Sequence, residues 1–384
     1  MAKIDKGKRQ VLKVGGAGLL GTGLAGCLGG GGGGSETTTE ESGDETTESS
    51  GSDSTTESDS TTTKSDPLNV GMVYATGGLG DNSFNDMAHK GIQKAESDFG
   101  TSFKNAEPSS PSDVATLQRK FARSQNYDLI SCIGFVQASA LKENAKRFGD
   151  QNFMVVDTVV ERDNVSSYTF KEHQGSFQVG HLAGLLTDMD FSAGGGETND
   201  DLTVGFVGGK EVPLIKKFEA GFKAGVKHAN SDVSVRTAYV GAWSDPGKGQ
   251  SIANSMYDKG ADIVYHSAGG SGNGVFKAAQ SKGRYAIGVD ADQSKSLPKY
   301  SNVILASMVK YVDEAVYRSV ERTSNGNFDG GSVHSLGLEK NGVAAVYGED
   351  LGSEIPDSVK SKLDASRKKV VAGDIEVPTK PGNV

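Results

Sequence analysis

The chain has 384 residues and a formal net charge of −9, and its charges are unevenly distributed. Residues 1–27 carry a net charge of +4, residues 28–66 one of −9, and residues 67–384 one of −4. Because phosphate binding requires clustered lysine and arginine, this distribution excludes nucleic acid as a principal partner. Beyond the acidic segment, roughly 310 residues remain for folding, which is enough for two domains with separate cores.

The first 27 residues are organised like an export signal. A basic segment, residues 3–13, precedes a weakly apolar run, residues 14–24, that is too short to span a bilayer. Residues 8–13 are similar to the twin-arginine motif with lysine in the first arginine position, so twin-arginine export and general secretion both stay open. Residues 24–27, Leu-Ala-Gly-Cys, have the form of a lipobox. They predict that Cys27 is lipidated and anchors the protein to the extracellular face of the cell membrane.

Residues 28–66 are rich in glycine, serine, threonine and acids, and they contain almost no apolar side chains. Such a segment cannot bury enough surface to offset the entropy lost on ordering, and its like charges repel each other. We expect a disordered acidic stalk. A stalk of this kind behind a lipobox resembles secreted lipoproteins of salt-loving archaea.

From Leu68 onward, short apolar runs alternate with amphipathic stretches, which predicts parallel sheets covered by helices on both faces. Strands are predicted at residues 70–74, 128–133, 153–157, 167–170, 203–207, 234–240, 262–266, 286–289 and 303–308. Helices are predicted at residues 83–98, 114–124, 140–148, 175–186, 215–228, 250–259, 274–281 and 312–323. Residues 333–346 have the pattern of a hairpin with an Asn-Gly turn, and residues 356–371 that of a last helix.

Candidate ligand-binding residues lie where predicted strands end, because open α/β sheets bind ligands beyond the carboxyl ends of their strands. The glycine-rich residues 75–85 follow the first strand but do not match the dinucleotide-binding GxGxxG motif, and the segment could also be a simple turn. Later strands are followed by Asp157, Trp243, residues 269–272, Asp290 and Lys310.

Two aromatic residues in such loops, Phe84 and Trp243, could stack on a planar base, or could belong to the core. Asp157 and Asp290 could accept hydrogen bonds from ring N–H groups or sugar hydroxyls, or could cap helices. Lys310 could equally be a solvated surface lysine. No metal-binding histidine spacing and no nucleophile elbow is present in the sequence, so nothing in it predicts an enzyme, a metal or a cofactor.

Seven motifs in order resemble the basic membrane protein family, the purine-nucleoside-binding lipoproteins related to receptors of ABC transporters. The resemblance extends over about residues 68–350, and the motifs lie at residues 77–85, 153–157, 174–177, 218–222, 268–272, 288–293 and 307–310. The resemblance implies a type I periplasmic-binding-protein fold, in which two Rossmann-like lobes are joined by a hinge of three crossovers. It implies that residues 67–171 and 291–328 form lobe 1, and that residues 172–290 and 329–377 form lobe 2. The crossovers are then expected near residues 170–173, 289–292 and 325–332, with strand 303–308 in lobe 1.

The resemblance also implies a ligand site. Phe84 and Trp243 would enclose a base, Asp157 would bind the base edge, Asp290 and Gly269 would hold ribose hydroxyls, and Lys310 would reach the far side of the sugar. Thr76 and Asn85 complete the expected set. The chain departs from the family where Ala75-Thr76 replaces the usual Asp-Asn and where Ser139 replaces an acid.

These features predict a monomeric lipid-anchored receptor that binds a nucleoside, with a purine base expected, and delivers it to an ABC permease. A cell-surface sensor or adhesion protein without a transport role is the alternative, followed by a nucleoside-processing enzyme.

Overall fold

The computed structural model describes residues 67–384, so the predicted export signal, Cys27 and the acidic stalk lie outside the described residues. Within this range strands and helices alternate, as the sequence predicts. The strands are β1 (Asn69–Val73), β2 (Ser102–Ala106), β3 (Leu129–Cys132), β4 (Asn152–Val156), β5 (Val165–Phe170), β6 (Ser192–Ala193), β7 (Gly196–Glu197), β8 (Thr203–Gly208), β9 (Ser234–Tyr239), β10 (Ala261–Ser267), β11 (Tyr285–Asp290), β12 (Ile304–Lys310), β13 (Val333–Leu336) and β14 (Val343–Tyr347). The α-helices are α1 (Phe84–Phe99), α2 (Pro111–Ser124), α3 (Ala138–Arg147), α4 (Glu172–Thr187), α5 (Pro213–Ala229), α6 (Pro246–Tyr257), α7 (Asn273–Lys282), α8 (Gln293–Ser296), α9 (Val312–Ser324) and α10 (Asp357–Ala372).

The first sheet is entirely parallel and has the order β13-β5-β4-β3-β1-β2. Its strands alternate their side chains between two buried faces, as period-2 geometry requires. Val70 and Met72 of β1 belong to the core that also contains residues of α1 and α9. Val73 of the same strand joins Cys132 and Phe121 in the core on the opposite face, against α2 and α3. Helices therefore cover both faces of this sheet, which forms lobe 1.

The second sheet has the order β14-β12-β11-β10-β8-β9 and is parallel except for β14, which runs antiparallel to β12. Helices α4 and α5 cover one face, and α6 and α7 cover the other. Helices α4 and α5 approach closely, because a Cβ atom at Gly221 would lie 2.1 Å from the carbonyl oxygen of His173. Helix α10 packs against α4. Together these elements form lobe 2, and no helix in the described part of the chain is long and apolar enough to cross a bilayer.

The sheets differ from the sequence prediction in two strands. Strand β12 pairs with β11 and β14 in lobe 2, whereas residues 303–308 were expected in lobe 1. Strand β13 pairs with β5 in lobe 1, so β13 and β14 form no hairpin with each other. A strand buried on both faces has the same apolar pattern in either sheet, and so the pattern does not identify its neighbours.

The chain passes between the lobes three times, and the sequence predicted the position of the first passage but not of the other two. The first passage, between β5 and α4, lies within the expected residues 170–173. The second follows β12 rather than residues 289–292, since α9 packs against α1 in lobe 1. The third follows β13 rather than residues 325–332. The sequence prediction also lacked the edge strand β2, whose side chains are mostly exposed, and the short ribbon formed by β6 and β7.

Candidate ligand-binding cleft

A cleft lies between the two lobes, beyond the carboxyl ends of their parallel strands, and contains about 670 Å³ of empty space that is partly open to solvent. All eight residues that the sequence predicts for the site line this cleft: Thr76, Phe84, Asn85, Asp157, Trp243, Gly269, Asp290 and Lys310. The remaining lining residues are Ala75, Gly77, Asp81, Gly134, Phe135, Val136, Leu214, Ile215, Phe218, Ser267 and Ala268. The fold therefore brings together residues that are up to 235 positions apart in the chain.

The loop between β1 and α1 is organised by Asp81, which the sequence prediction did not single out as a site residue. Its carboxylate accepts hydrogen bonds from the backbone N–H groups of Ser83, Asn85 and Asp86 at 2.9–3.2 Å. Burial raises the pKa of Asp81 to about 6, although these backbone donors oppose that effect. The Asn85 amide is also used within the loop, accepting from Ala75 N and donating to Asp81. Asn85 thus lines the cleft while holding the loop in shape.

Aromatic side chains reach the cleft from both lobes. Phe84 begins α1 in lobe 1, and Trp243 follows β9 in lobe 2. The Trp243 ring packs tightly on its own lobe, because a Cβ atom at Gly209 would lie 2.4 Å from the ring. Phe135, from lobe 1, meets Trp243 edge to face at 6.5 Å between ring centroids. The cleft therefore offers a planar ligand one aromatic ring from each lobe and a third at its mouth.

Lys310, at the end of β12, forms the centre of a buried charge cluster. Its ammonium lies 2.5 Å from Asp157 Oδ1 of lobe 1 and 3.3 Å from Glu172 Oε1 of lobe 2. The Lys310 side chain is 1% exposed, so the surface-lysine alternative is wrong. The rings of Phe84 and Phe170 also lie about 5 Å from the ammonium. These ion pairs connect the two lobes, and they lie beside the ring of Phe84, one of the two candidates for stacking on a base.

The carboxylates around Lys310 determine its charge. Burial alone would lower the pKa of Lys310, but Asp157, Glu172 and Asp290 together raise it above its usual value. Burial raises the pKa of Asp157, and the nearby ammonium opposes that effect. Neither Asp157 Oδ1 nor Glu172 Oε1 accepts a well-directed hydrogen bond within the described part of the chain. Buried acceptors of this kind are normally satisfied, and here the Lys310 ammonium is the group that faces both oxygens, at 2.5 Å and 3.3 Å.

Asp290 ends β11 on the lobe 2 side of the cleft. Its Oδ2 accepts a hydrogen bond of 2.5 Å from Ser83 Oγ of lobe 1. Burial raises its pKa to about 7, and Lys310 and Ser83 oppose that rise. Asp290 and Asp157 both have positive φ values, 63° and 69°, which non-glycine residues rarely adopt. Such strain at two matching strand ends is typical of functional sites.

The other predicted positions have simpler settings. Gly269 begins the turn after β10, and its φ of 54° is one that a residue with a side chain rarely adopts. Ser271, in the same turn, donates its backbone N–H to the carbonyl oxygen of Trp243, which fixes the turn against the aromatic loop. Thr76 is half-buried in the loop after β1. Within residues 67–384, no group of three or more acidic, histidine or cysteine side chains is placed to hold a metal ion.

Glu172 is the main residue that the sequence did not identify. It is fully buried at the start of α4, immediately after the first passage between the lobes. Its second oxygen lies 3.4 Å from Lys217, so Glu172 is bracketed by two lysines. Nothing in the local sequence distinguishes it from an ordinary glutamate in the first turn of a helix. Phe218, in contrast, lies within the motif at residues 218–222, which could have drawn attention to it.

Comparison with known proteins identifies the family. Residues 68–380 match the model of the Bmp family, described as "ABC transporter substrate-binding protein PnrA-like". A "CD4+ T-cell-stimulating antigen" of Listeria innocua is 39% identical, with 83% of this chain and 90% of the relative covered. An "ABC transporter nucleoside-binding protein BmpA" of Lactococcus lactis is 35% identical over 82% and 90%. An uncharacterized lipoprotein of Pyrococcus abyssi is 31% identical over 80% of each chain.

The fold has relatives of the same kind among solved structures. A solute-binding protein of an ABC transporter system from Aeropyrum pernix superposes with a TM-score of 0.71 at 26% identity, covering 82% of this chain and 94% of that one. The matching family model and the relatives from Lactococcus lactis and Aeropyrum pernix are substrate-binding proteins of ABC transporters and not enzymes, and the Pyrococcus relative is a lipoprotein. These matches imply a small-molecule ligand, a permease partner and a membrane-anchored extracellular location. The chain therefore belongs to the Bmp family of PnrA-like substrate-binding proteins of ABC transporters.

Proposed function

We propose that this protein binds a nucleoside, with a purine base preferred, and delivers it to an ABC permease. The observation that carries the proposal is the pairing of Phe84 and Trp243 from opposite lobes with buried carboxylates in one cleft. Stacking on an aromatic ring contributes about 1–3 kcal/mol per base, and carboxylates bind the hydroxyl and N–H groups of a nucleoside. The Lactococcus relative is itself named a nucleoside-binding protein.

Different residues of the cleft bind the base and the ribose of the nucleoside. The base lies between Phe84 and Trp243, and Asp157 accepts a hydrogen bond from its edge. Asp290 accepts from the ribose hydroxyls, and the backbone at Gly269 approaches the sugar because no side chain is in the way. Lys310 donates toward the sugar, and its ammonium, 2.5 Å from the Asp157 carboxylate, opposes the rise in the pKa of Asp157 that burial causes.

The charges of the cleft favour an uncharged ligand over a phosphorylated one. Asp81, Asp157 and Asp290 all line the cleft, and Lys310 is the basic residue that lines it with them. The Lys310 ammonium is already shared between Asp157 and Glu172. A bound phosphate group would lose its hydration and lie near several carboxylates. Because the ammonium of Lys310 is already paired with carboxylates, the binding free energy of a phosphorylated ligand would be unfavourable in this buried site. Nucleoside monophosphates should therefore bind much more weakly than nucleosides.

The location follows from the amino terminus. The lipobox at residues 24–27 supplies a lipid anchor on Cys27, and residues 28–66 supply a tether between the membrane and the two lobes. An anchored receptor releases its ligand close to a permease in the same membrane. Both lobes of a single chain line the cleft, so no second chain is needed to complete it, and we expect a monomer.

A thermal-shift screen tests the proposal. The full-length protein is heated with nucleosides, free bases, ribose and nucleoside monophosphates, in low and high salt. We expect nucleosides to raise the melting temperature and to be recovered unchanged by chromatography. A panel in which no nucleoside stabilises the protein, while a sugar or another solute does, contradicts the proposal.

A further inference from the structure

A second connection between the lobes lies outside the cleft. The Gln293 side chain, on lobe 2, donates a hydrogen bond from Nε2 to the backbone carbonyl oxygen of Asn82, on lobe 1, at 2.9 Å. Gln293 is fully buried and is not among the residues that line the cleft. Its contact therefore exists when the lobes are together and does not involve the ligand.

Lobe 2 holds the Gln293 side chain in one orientation. Its Oε1 accepts the backbone N–H of Val289 at 2.8 Å, and its own backbone N–H donates to Ser307 Oγ at 3.0 Å. Because Oε1 is occupied by a donor, the amide NH₂ group must face Asn82. Gly288 makes room for this arrangement, since a Cβ atom there would lie 2.8 Å from Gln293 Oε1.

On lobe 1, the backbone around the acceptor, the carbonyl oxygen of Asn82, is also held in one conformation. Asn82 has a φ of 53°, in the left-handed region, and its backbone N–H donates to Asp86 Oδ2 at 2.7 Å. The next residue, Ser83, donates to Asp290 across the cleft. Two neighbouring residues of lobe 1 are thus held by lobe 2. One bond ends on Asp290, which lines the cleft and is accessible to a ligand, and the other ends on Gln293, which is not.

We infer that Gln293 is a closure latch, a positioning residue whose hydrogen bond to Asn82 sets how long the lobes stay closed over any ligand. The bond is absent when the lobes separate, so its loss destabilises the closed complex and leaves loading of the open protein unchanged. Removing one such bond changes an equilibrium constant by about two- to ten-fold. The inference rests on the proposed function only for the choice of ligand.

The test compares Gln293→Glu with the wild-type full-length protein. Ionised glutamate keeps the acceptor for Val289 N and removes the donor to Asn82, so this variant is measured at a pH where the introduced carboxyl group is ionised. Gln293→Met is a second variant that removes both. The matched control is Gln178→Glu, because Gln178 is also buried but donates to Ser366 within lobe 2. Stopped-flow fluorescence with adenosine, inosine and guanosine gives association and dissociation rates, and hydrogen exchange of residues 75–86 measures opening without ligand.

We expect dissociation to accelerate by about two- to ten-fold, by the same factor for each nucleoside, with association rates unchanged. Exchange in residues 75–86 should also accelerate without ligand, and the control should change neither. Unchanged dissociation and exchange in both variants, or a factor that differs among nucleosides, overturns the inference. If the wild type binds no nucleoside, the proposed function fails, and the exchange comparison alone then decides whether Gln293 acts as a latch.

Discussion

Replacing Asp290 by asparagine should stabilise the protein while weakening ligand binding. Burial raises the pKa of Asp290 from its usual 3.8 to about 7. Between about pH 4 and pH 7, the folded protein keeps a proton that the unfolded chain releases. The free energy of unfolding therefore falls as the pH rises through this window. A difference of about 3 pKa units corresponds to about 4 kcal/mol. The free energy of unfolding of the wild type falls by this amount once Asp290 is ionised in the folded protein.

Asparagine fits this position well. It can still accept the Ser83 hydrogen bond, and it tolerates the φ of 63° better than most residues. Because it carries no charge, Asp290→Asn should be more stable than the wild type by up to about 4 kcal/mol at pH 8, and the difference should vanish near pH 4. Nucleoside affinity should fall, since a neutral amide is a weaker acceptor for ribose hydroxyls than a carboxylate.

The assay is denaturant unfolding of both proteins at pH 4, 6 and 8, followed by calorimetric titration with adenosine at pH 8. Asp200→Asn is the control, because Asp200 is an exposed aspartate of the same lobe. The control should leave both the pH profile and the affinity unchanged. The reasoning is refuted if Asp290→Asn is no more stable than the wild type at pH 8, or if any stability difference is independent of pH.

Three further predictions concern the same cleft. Trp243→Ala should weaken nucleoside binding by about 1–3 kcal/mol and Trp243→Phe by less, as measured by calorimetry; unchanged affinity in Trp243→Ala would exclude a stacking role. If Asp290 holds the ribose, 2′-deoxyadenosine should bind the wild type more weakly than adenosine, and equal affinity counts against that assignment. Lys310→Met should lower the free energy of unfolding by about 3–5 kcal/mol, because it leaves buried carboxylates without a countercharge. Adding Asp157→Asn should restore part of that loss, and no restoration would mean that the two residues are not coupled.

The sequence was informative about the site because strand ends are easy to locate. Asp157, Asp290 and Lys310 come at or just after the end of an apolar strand, and parallel strands bring such positions to one edge of a sheet. Thus residues as distant as Thr76 and Lys310 could be assigned to one cleft, which they both line. The aromatic pair Phe84 and Trp243 was recognisable for the same reason, since Trp243 lies in the loop after β9 and Phe84 is the first residue of the helix after β1.

The sequence was less informative about connections between distant elements. The apolar pattern of β12 shows that it is buried on both faces but does not identify β11 and β14 as its neighbours. Glu172 resembles any glutamate in the first turn of a helix, and its pairing with Lys310 arises only when α4 packs beside β12. The bond from Gln293 to Asn82 joins residues 211 positions apart through a backbone carbonyl group, which no side-chain pattern encodes.

The central claim is that a nucleoside binds in the cleft between the lobes, and tryptophan fluorescence tests it most directly. Trp243 is the single tryptophan of the chain and lines the cleft, so its emission reports on this site alone. Titration of the full-length protein with adenosine, inosine and guanosine should change that emission with saturation at one ligand per chain. If no nucleoside changes the Trp243 emission, while a sugar or another solute does so with saturation, the claim is contradicted.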